Sequence, residues 1–250
     1  MAANTDDTTD ETTDETTDAP YEDTIDWDSF WVEADAERRQ HATPAHRFVP
    51  DLLAEFVEAK GVPETVADVG CGDGHVVFEL AERYPALTAV GYDAAAPIVA
   101  ENNERAAADG RSNVTFEQAS LPDFDPDRQF DLVLCHATLD YVADAERAVQ
   151  HLYDAVAPDG VLVLQYPSRL ARAHRQRVLD EPERFMEEPD DFDAEWFAER
   201  FQLVLDGENL LSYDRIHDAL GTWPRSFWEV VDKPDEPWAW RHFPMVWVPK

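Results

Sequence analysis

Apolar residues recur in two rhythms along this chain, and the change from one to the other divides it. Between 49 and 59, Leu52, Leu53, Phe56 and Val57 fall on one helical face, and Gly61 closes the run. An earlier stretch, 25–40, carries Trp27, Phe30 and Trp31 close to Asp28, a residue suited to cap a helix, before Thr43-Pro44 breaks it. Beyond Gly61, short continuous apolar runs take over at 66–69, 87–92, 114–116, 130–135 and 161–166, separated by amphipathic stretches of helical length such as 75–83 and 95–108. Continuous rather than alternating apolarity suits strands buried on both faces, and repeated strand–helix–strand units imply a parallel sheet with right-handed crossovers. A helix over 148–156 is predicted to end at Pro158-Asp159-Gly160, a turn that launches the fifth strand.

After Pro167 the alternation stops. Helical patches at 171–179 and 194–201, interrupted by Glu181-Pro182 and Glu188-Pro189, read as a helical insertion over about 168–205. A helix at 213–220 ends at Gly221, and 227–231 and 245–248 are predicted as two last strands, a hairpin with an antiparallel member. The expected fold is therefore α/β: a doubly wound, mostly parallel seven-stranded sheet with helices on both faces, an antiparallel C-terminal strand and a helical insertion after strand five. One domain over 63–250 is expected, its core at 64–167, preceded by N-terminal helices at 23–62. Trp238, Trp240, Phe243 and Trp247 are read as sheet core. Residues 1–22 repeat Thr-Thr-Asp and hold no aromatic or branched aliphatic side chain before Tyr21, so a disordered acidic tail is expected there.

Charge alters this picture more than composition does. Asp and Glu number 54 against 20 Lys and Arg, a formal charge of -34, with Lys60, Lys233 and Lys250 the lysines. A small soluble domain usually carries a net charge of roughly 2 to 8 in magnitude. Because the acids are spread along the whole chain, self-repulsion must be screened, and the Debye length falls to about 3 Å only near 1 M salt. A salt-rich cytoplasm, as in a halophile, is the expected setting. The same charge speaks against a groove that tracks phosphates, so nucleic acid is not an expected partner. Cys71 and Cys135 are too few for a disulfide framework, and no basic region followed by an apolar run begins the sequence. A soluble cytoplasmic protein with reduced thiols, no membrane partner and no structural metal is expected, and its oligomeric state is left open.

Candidate chemistry gathers where the first strand ends. Asp68-Val69-Gly70-Cys71-Gly72-Asp73-Gly74 places an open backbone loop between a strand and a helix, at the sheet edge where doubly wound folds bind ligands. A dinucleotide site wants its third glycine one residue later, at the position of His75, which argues against hydride transfer. Asp93 ends the second strand 19 residues beyond Gly74, where a carboxylate accepts hydrogen bonds from both ribose hydroxyls or, alternatively, caps the helix that follows.

Over roughly 64–167 these motifs resemble the class I methyltransferase family. Val-Ala-Asp-Val-Gly-Cys-Gly-Asp-Gly at 66–74 is similar to its first motif and Val-Gly-Tyr-Asp at 90–93 to its second-strand acid. Phe-Asp-Leu-Val-Leu-Cys-His-Ala-Thr-Leu-Asp-Tyr-Val at 130–142 resembles its fourth-strand block, and Ala-Pro-Asp-Gly-Val-Leu-Val-Leu at 157–164 the lead into strand five. The resemblance implies S-adenosyl-L-methionine as cofactor. Its methionine part would lie against Gly70, Cys71, Gly72 and Gly74 with Asp68 near the amino group, its ribose on Asp93, and its adenine beside Ser120 and Leu121, with Cys135 also at the site. Ser120 stands where the family often has Asp, and Asp140-Tyr141 where it often has Glu-His.

Methyl transfer needs mainly an acceptor held in line with the donor, so a base is optional. His136 is the expected base if one acts, with Tyr141 beside it and Tyr166 either lining the acceptor pocket or packing. The Asn-Pro-Pro-Tyr or Asp-Pro-Pro-Tyr segment of enzymes that methylate bases or glutamine amides does not follow strand four. With no basic patch, this favours a small-molecule acceptor, covered by the 168–205 insertion and the helix around Trp31. The alternative is a regulatory or scaffold protein that binds S-adenosylmethionine without turnover.

Overall fold

The computed structural model describes residues 24–43, 48–186, 189–231 and 244–250. The expected acidic tail at 1–22 and the aromatic residues Trp238, Trp240 and Phe243 lie outside them.

The N-terminal stretch forms two helices rather than one, α1 (Trp27–Glu33) and α2 (Ala36–Ala42). Asp28 is not the cap. Asp26 accepts the Ser29 amide at the first and Asp35 the Arg38 amide at the second, so the chain restarts a helix at Asp35. The long amphipathic helix α3 (Val49–Lys60) follows, closed by Gly61 at φ 111.

Next come β1 (Thr65–Val69), α4 (His75–Arg83), β2 (Thr88–Asp93), α5 (Ala96–Ala108), β3 (Val114–Gln118), β4 (Phe130–Cys135), α6 (Ala145–Asp154) and β5 (Val156–Gln165). With β6 (Arg225–Ser226) and β7 (Met245–Pro249), the sheet order is β3-β2-β1-β4-β5-β7-β6, with β1 to β5 parallel and β7 antiparallel to β5. Strand order thus reverses at β1 and β4, and a crevice opens at their carboxyl ends. Alternate residues feed two cores. Val66, Leu132, Leu134 and Val163 pack with Phe56 of α3 and Val77 of α4, while Ala67, Val133, Leu162 and Leu164 pack with Val149 and Leu152 of α6.

Two expectations at strand boundaries change. Val156 already pairs with Phe130, and Val161 resumes the ladder against Leu132, so Pro158-Asp159-Gly160 forms an irregularity inside β5 rather than the turn before it. Residues 227–231 are not a strand. Phe227 and Trp228 are consecutive yet both buried in the same core as Val231, which strand alternation forbids and a 3-10 turn over Phe227–Glu229 permits. The ring of Phe227 stacks on Phe56 at 4.9 Å. The strand instead is the two-residue β6 (Arg225–Ser226), antiparallel to β7, which includes Trp247 in the sheet core.

Between β5 and β6 run α7 (Arg169–Asp180), α8 (Ala194–Arg200), α9 (Gln202–Asp206) and α10 (Tyr213–Leu220). Ser168, Asp193 and Ser212 cap α7, α8 and α10. Among the described residues, no helix is long and apolar enough to cross a membrane.

Candidate functional site

The glycine loop is shaped by backbone hydrogen bonds to the end of β2. The amides of Gly70 and Cys71 both donate to the Tyr92 carbonyl, at 2.7 and 2.9 Å. The Asn102 amide of α5 donates to the Gly72 carbonyl at 2.7 Å. Gly70 has φ 80, and a Cβ there would meet Thr138 Oγ1 at 2.1 Å, so glycine is required both by conformation and by the close approach of the turn after β4. That turn is itself fixed: the Ala137 amide donates to the buried Gln165 side chain at 3.0 Å.

Around the loop lies a cleft of about 1050 Å3, counting its part open to solvent. Its floor is Asp68, Gly70, Cys71 and Gly72 from the β1 loop, with Asp93, Ser120 and Leu121 at one end and His136, Thr138 and Tyr141 at the other. Trp27 and Trp31 of α1 and Arg200 of α8 close the side away from the sheet. Both segments expected to cover the acceptor therefore contribute to the wall.

Two expected cofactor residues are not on the cleft. Gly74 begins α4 in the left-handed region, and a Cβ there would meet Phe116 at 2.6 Å, so glycine at this position serves helix–sheet packing. Cys135 is fully buried in the core opposite that of Cys71, and both cysteines are free thiols. Tyr166 lines a separate depression with Ser168, Tyr213 and Met245. The sequence did not single out Arg200: it lies far along the chain with no motif around it.

The electrostatics of the floor are unusual. Asp68 is buried and its carboxylate accepts no hydrogen bond from a described side chain or amide. Burial, then the neighbouring charges of Asp93 and Asp73, push it up to about 7. Asp93 is also raised by burial, opposed by the amides of Ala95 and Gly72, which donate to its two oxygens at 3.0 and 2.8 Å. Asp93 does not cap α5, whose N-cap Ala95 has no side-chain cap hydrogen bond; holding these two amides leaves each oxygen a further lone pair, and the side chain faces the cleft. Burial raises the Cys71 thiol well above its ordinary value, which keeps it protonated and inert. Burial likewise raises the Tyr141 phenol, whose oxygen accepts from Arg200 Nε at 2.8 Å and whose ring lies 4.9 Å from that of Trp27.

A sheet of this order, with a glycine loop after β1 and an acid after β2, defines a class I Rossmann-like methyltransferase fold. The sequence profile of a methyltransferase domain matches residues 62–209, and the chain belongs to that family. Trans-aconitate 2-methyltransferase of Streptomyces coelicolor is 32% identical over 155 residues, covering 61% of this chain and 51% of the relative. The same-named enzyme of Methylobacterium nodulans is 32% identical over 160 residues, 63% of this chain and 57% of that one. The chain thus spans about half the length of the curated relatives it matches. In fold it is similar to the plantazolicin methyltransferase BamL, solved with a triazolic desmethylPZN analog and SAH, with a TM-score of 0.62, 12% identity, and coverage of 92% of this chain and 96% of that one.

Proposed function

We propose that this protein transfers a methyl group from S-adenosylmethionine to a small-molecule acceptor held in the same cleft. The observation that carries this reading is the buried Asp68 carboxylate at the loop, with no cation or amide beside it among the described residues. An ammonium group is the partner it lacks, and the cofactor's amino acid end supplies one. The backbone of Gly70, Cys71 and Gly72 would lie along the methionine part, Asp93 would hold the ribose hydroxyls, and Ser120 and Leu121 would edge the adenine. When bound, the cofactor supplies an electrophilic methyl group. The chain's own part is positioning: Trp27, Trp31 and Tyr141 wall the acceptor in, and His136 takes the proton of an acceptor that must lose one. Arg200 is the sole Lys or Arg among the described residues lining the cleft, which suits a small acceptor better than a polyanion. Buried free thiols suit a reducing compartment such as the cytoplasm.

Labelled methyl from S-adenosylmethionine is expected to enter the low-mass fraction of a cell extract incubated with the enzyme. Label in nucleic acid or protein would overturn the choice of acceptor, and cofactor binding without transfer to any fraction would favour a regulatory or scaffold protein.

The Asp68 assignment has a pH signature. With its carboxyl at about 7 in the empty protein, the site is largely protonated at pH 6 and ionised at pH 8. Because an ammonium favours the ionised form, cofactor affinity should rise with pH and level off above 7. The gain from pH 6 to pH 8 should be about tenfold, since one pH unit below a pKa leaves about a tenth of the group ionised. Calorimetry in buffers of different ionisation enthalpy should record close to one proton released at pH 6 and little at pH 8. A flat affinity over that range would remove Asp68 from the ammonium site.

A further inference from the structure

The cleft holds a buried cation that the proposed function leaves unused. Arg200, at the C-terminal end of α8, is only 6% exposed and lines the cleft. Its Nε donates to the Tyr141 hydroxyl and one Nη donates to the Ala42 carbonyl at 2.8 Å. The other terminal nitrogen, Nη1, donates to no described residue. It is also absent from the fully enclosed polar atoms that lack a partner, and the residue lines the cleft. Rings surround the guanidinium carbon: Phe201 at 4.9 Å, Trp196 at 5.1 Å, Tyr141 at 5.4 Å and Trp27 at 5.5 Å.

No carboxylate among the described residues pairs with it. The other buried arginine, Arg175, does have its carboxylate, in Asp140. Aromatic faces offset part of the cost of burying a cation, but they leave its hydrogen-bonding capacity toward an oxyanion open.

We propose that Arg200 is the acceptor-recognition residue of this cleft, and that it selects a planar acceptor carrying a single carboxylate. This rests on the cleft being the acceptor site of a methyltransferase. A guanidinium edge matches a carboxylate in plane and spacing. One cation, facing a floor that already holds Asp68 and Asp93, balances one negative charge, so a phosphate ester with two charges is disfavoured. Trp27 and Tyr141 give a planar acid a face to lie against while Arg200 holds its carboxylate.

Benzoate and benzamide are the probes: they have the same shape and differ in charge. Each is titrated at constant ionic strength into the full-length protein, with and without S-adenosylhomocysteine, following the change in tryptophan fluorescence, to which Trp27 and Trp196 beside the guanidinium contribute. Benzoate is expected to bind at least tenfold tighter than benzamide. Arg200→Gln should erase that preference, and Arg200→Lys, which keeps the charge but not the planar edge, should retain only part of it. Because the Arg200 bond to Ala42 also ties α2 to α8, the Lys variant and the wild-type comparison stand even if Arg200→Gln fails to fold. Equal affinity for the two probes, no benzoate binding, or a preference that survives in a folded Arg200→Gln variant would each overturn the proposal. Failure of S-adenosylhomocysteine to bind would instead sink the methyltransferase reading, while the benzoate titration without it still reports on Arg200.

Discussion

Replacing Asp93 with alanine is expected to weaken S-adenosylmethionine binding by on the order of 100-fold. A carboxylate that accepts both ribose hydroxyls makes two charge-assisted hydrogen bonds, each worth about 1.5–3 kcal/mol, and a loss of about 3 kcal/mol already exceeds a hundredfold. Asp93 has a second duty that makes the loss larger. It binds the Gly72 amide at 2.8 Å, and that amide belongs to the loop that would carry the methionine part. Without the carboxylate, the loop loses its tether to β2 on the side of the cofactor, although the Tyr92 carbonyl still holds Gly70 and Cys71. Asp93→Asn keeps the size of the side chain and tests whether its charge carries both effects. Its amide keeps one acceptor oxygen for a backbone N–H but presents donors to the second N–H and to one ribose hydroxyl, so it should fall close to the alanine variant in affinity. Calorimetry on both variants, beside their melting curves, is the check. Affinity within threefold of the parent for a normally folded Asp93→Ala protein would leave Asp93 as a loop tether alone.

The strands and the loop were legible because they rest on local rules. Buried parallel strands must be apolar on both faces, so the runs at 66–69 and 130–135 stood out, and the glycine spacing could be read without a fold. The three-glycine pattern carried less than it suggested: Gly70 answers the approach of Thr138 and Gly74 the approach of Phe116, contacts made by residues more than forty positions downstream. Errors came where tertiary packing outvoted local pattern. The β-prone stretch after Ser226 turns into a 3-10 turn because Phe227 and Trp228 must both reach the core beneath α3. The wall of the cleft was visible only as segments. Trp31 and the insertion after strand five could be expected to cover the sheet, but nothing local distinguishes Arg200 from Arg184 or Arg177. Its environment is made by α1, the turn at Tyr141 and α8 together, and only the folded chain reveals that no described carboxylate pairs with it.

The Asp140-Tyr141 pair shows the same limit and leads to the largest stability effect expected here. Its departure from the family's Glu-His suggested altered chemistry, yet Asp140 faces away from the cleft and is 3% exposed, in a buried ion pair with Arg175 of α7. The Asn209 amide donates to the carbonyls of Leu139 and Asp140 at 2.9 and 3.0 Å, and the Arg175 guanidinium carbon lies 4.3 Å from the Phe201 ring centre. The pair therefore fastens the helical insertion to the turn that carries Tyr141. Removing one partner of a buried pair strands the other charge in a poor solvent, which costs about 3–5 kcal/mol, whereas replacing both with apolar groups is often neutral. Asp140→Ala should accordingly lower the melting temperature by on the order of 10 °C, since about 1 kcal/mol moves a domain of this size by roughly 2–4 °C. Asp140→Leu combined with Arg175→Met should recover most of that loss, whereas Asp140→Leu alone, which fills the space but leaves Arg175 buried and unpaired, should not. Salt provides a second signature. Exposed pairs such as Arg83 with Asp51 weaken as ions screen them, but the deficit of Asp140→Ala should persist nearly unchanged from 0.15 M to about 1 M salt, because the pair is shielded from ions. A deficit under 2 °C, or one that vanishes in concentrated salt, would mean that Asp140 and Arg175 meet without holding the insertion in place.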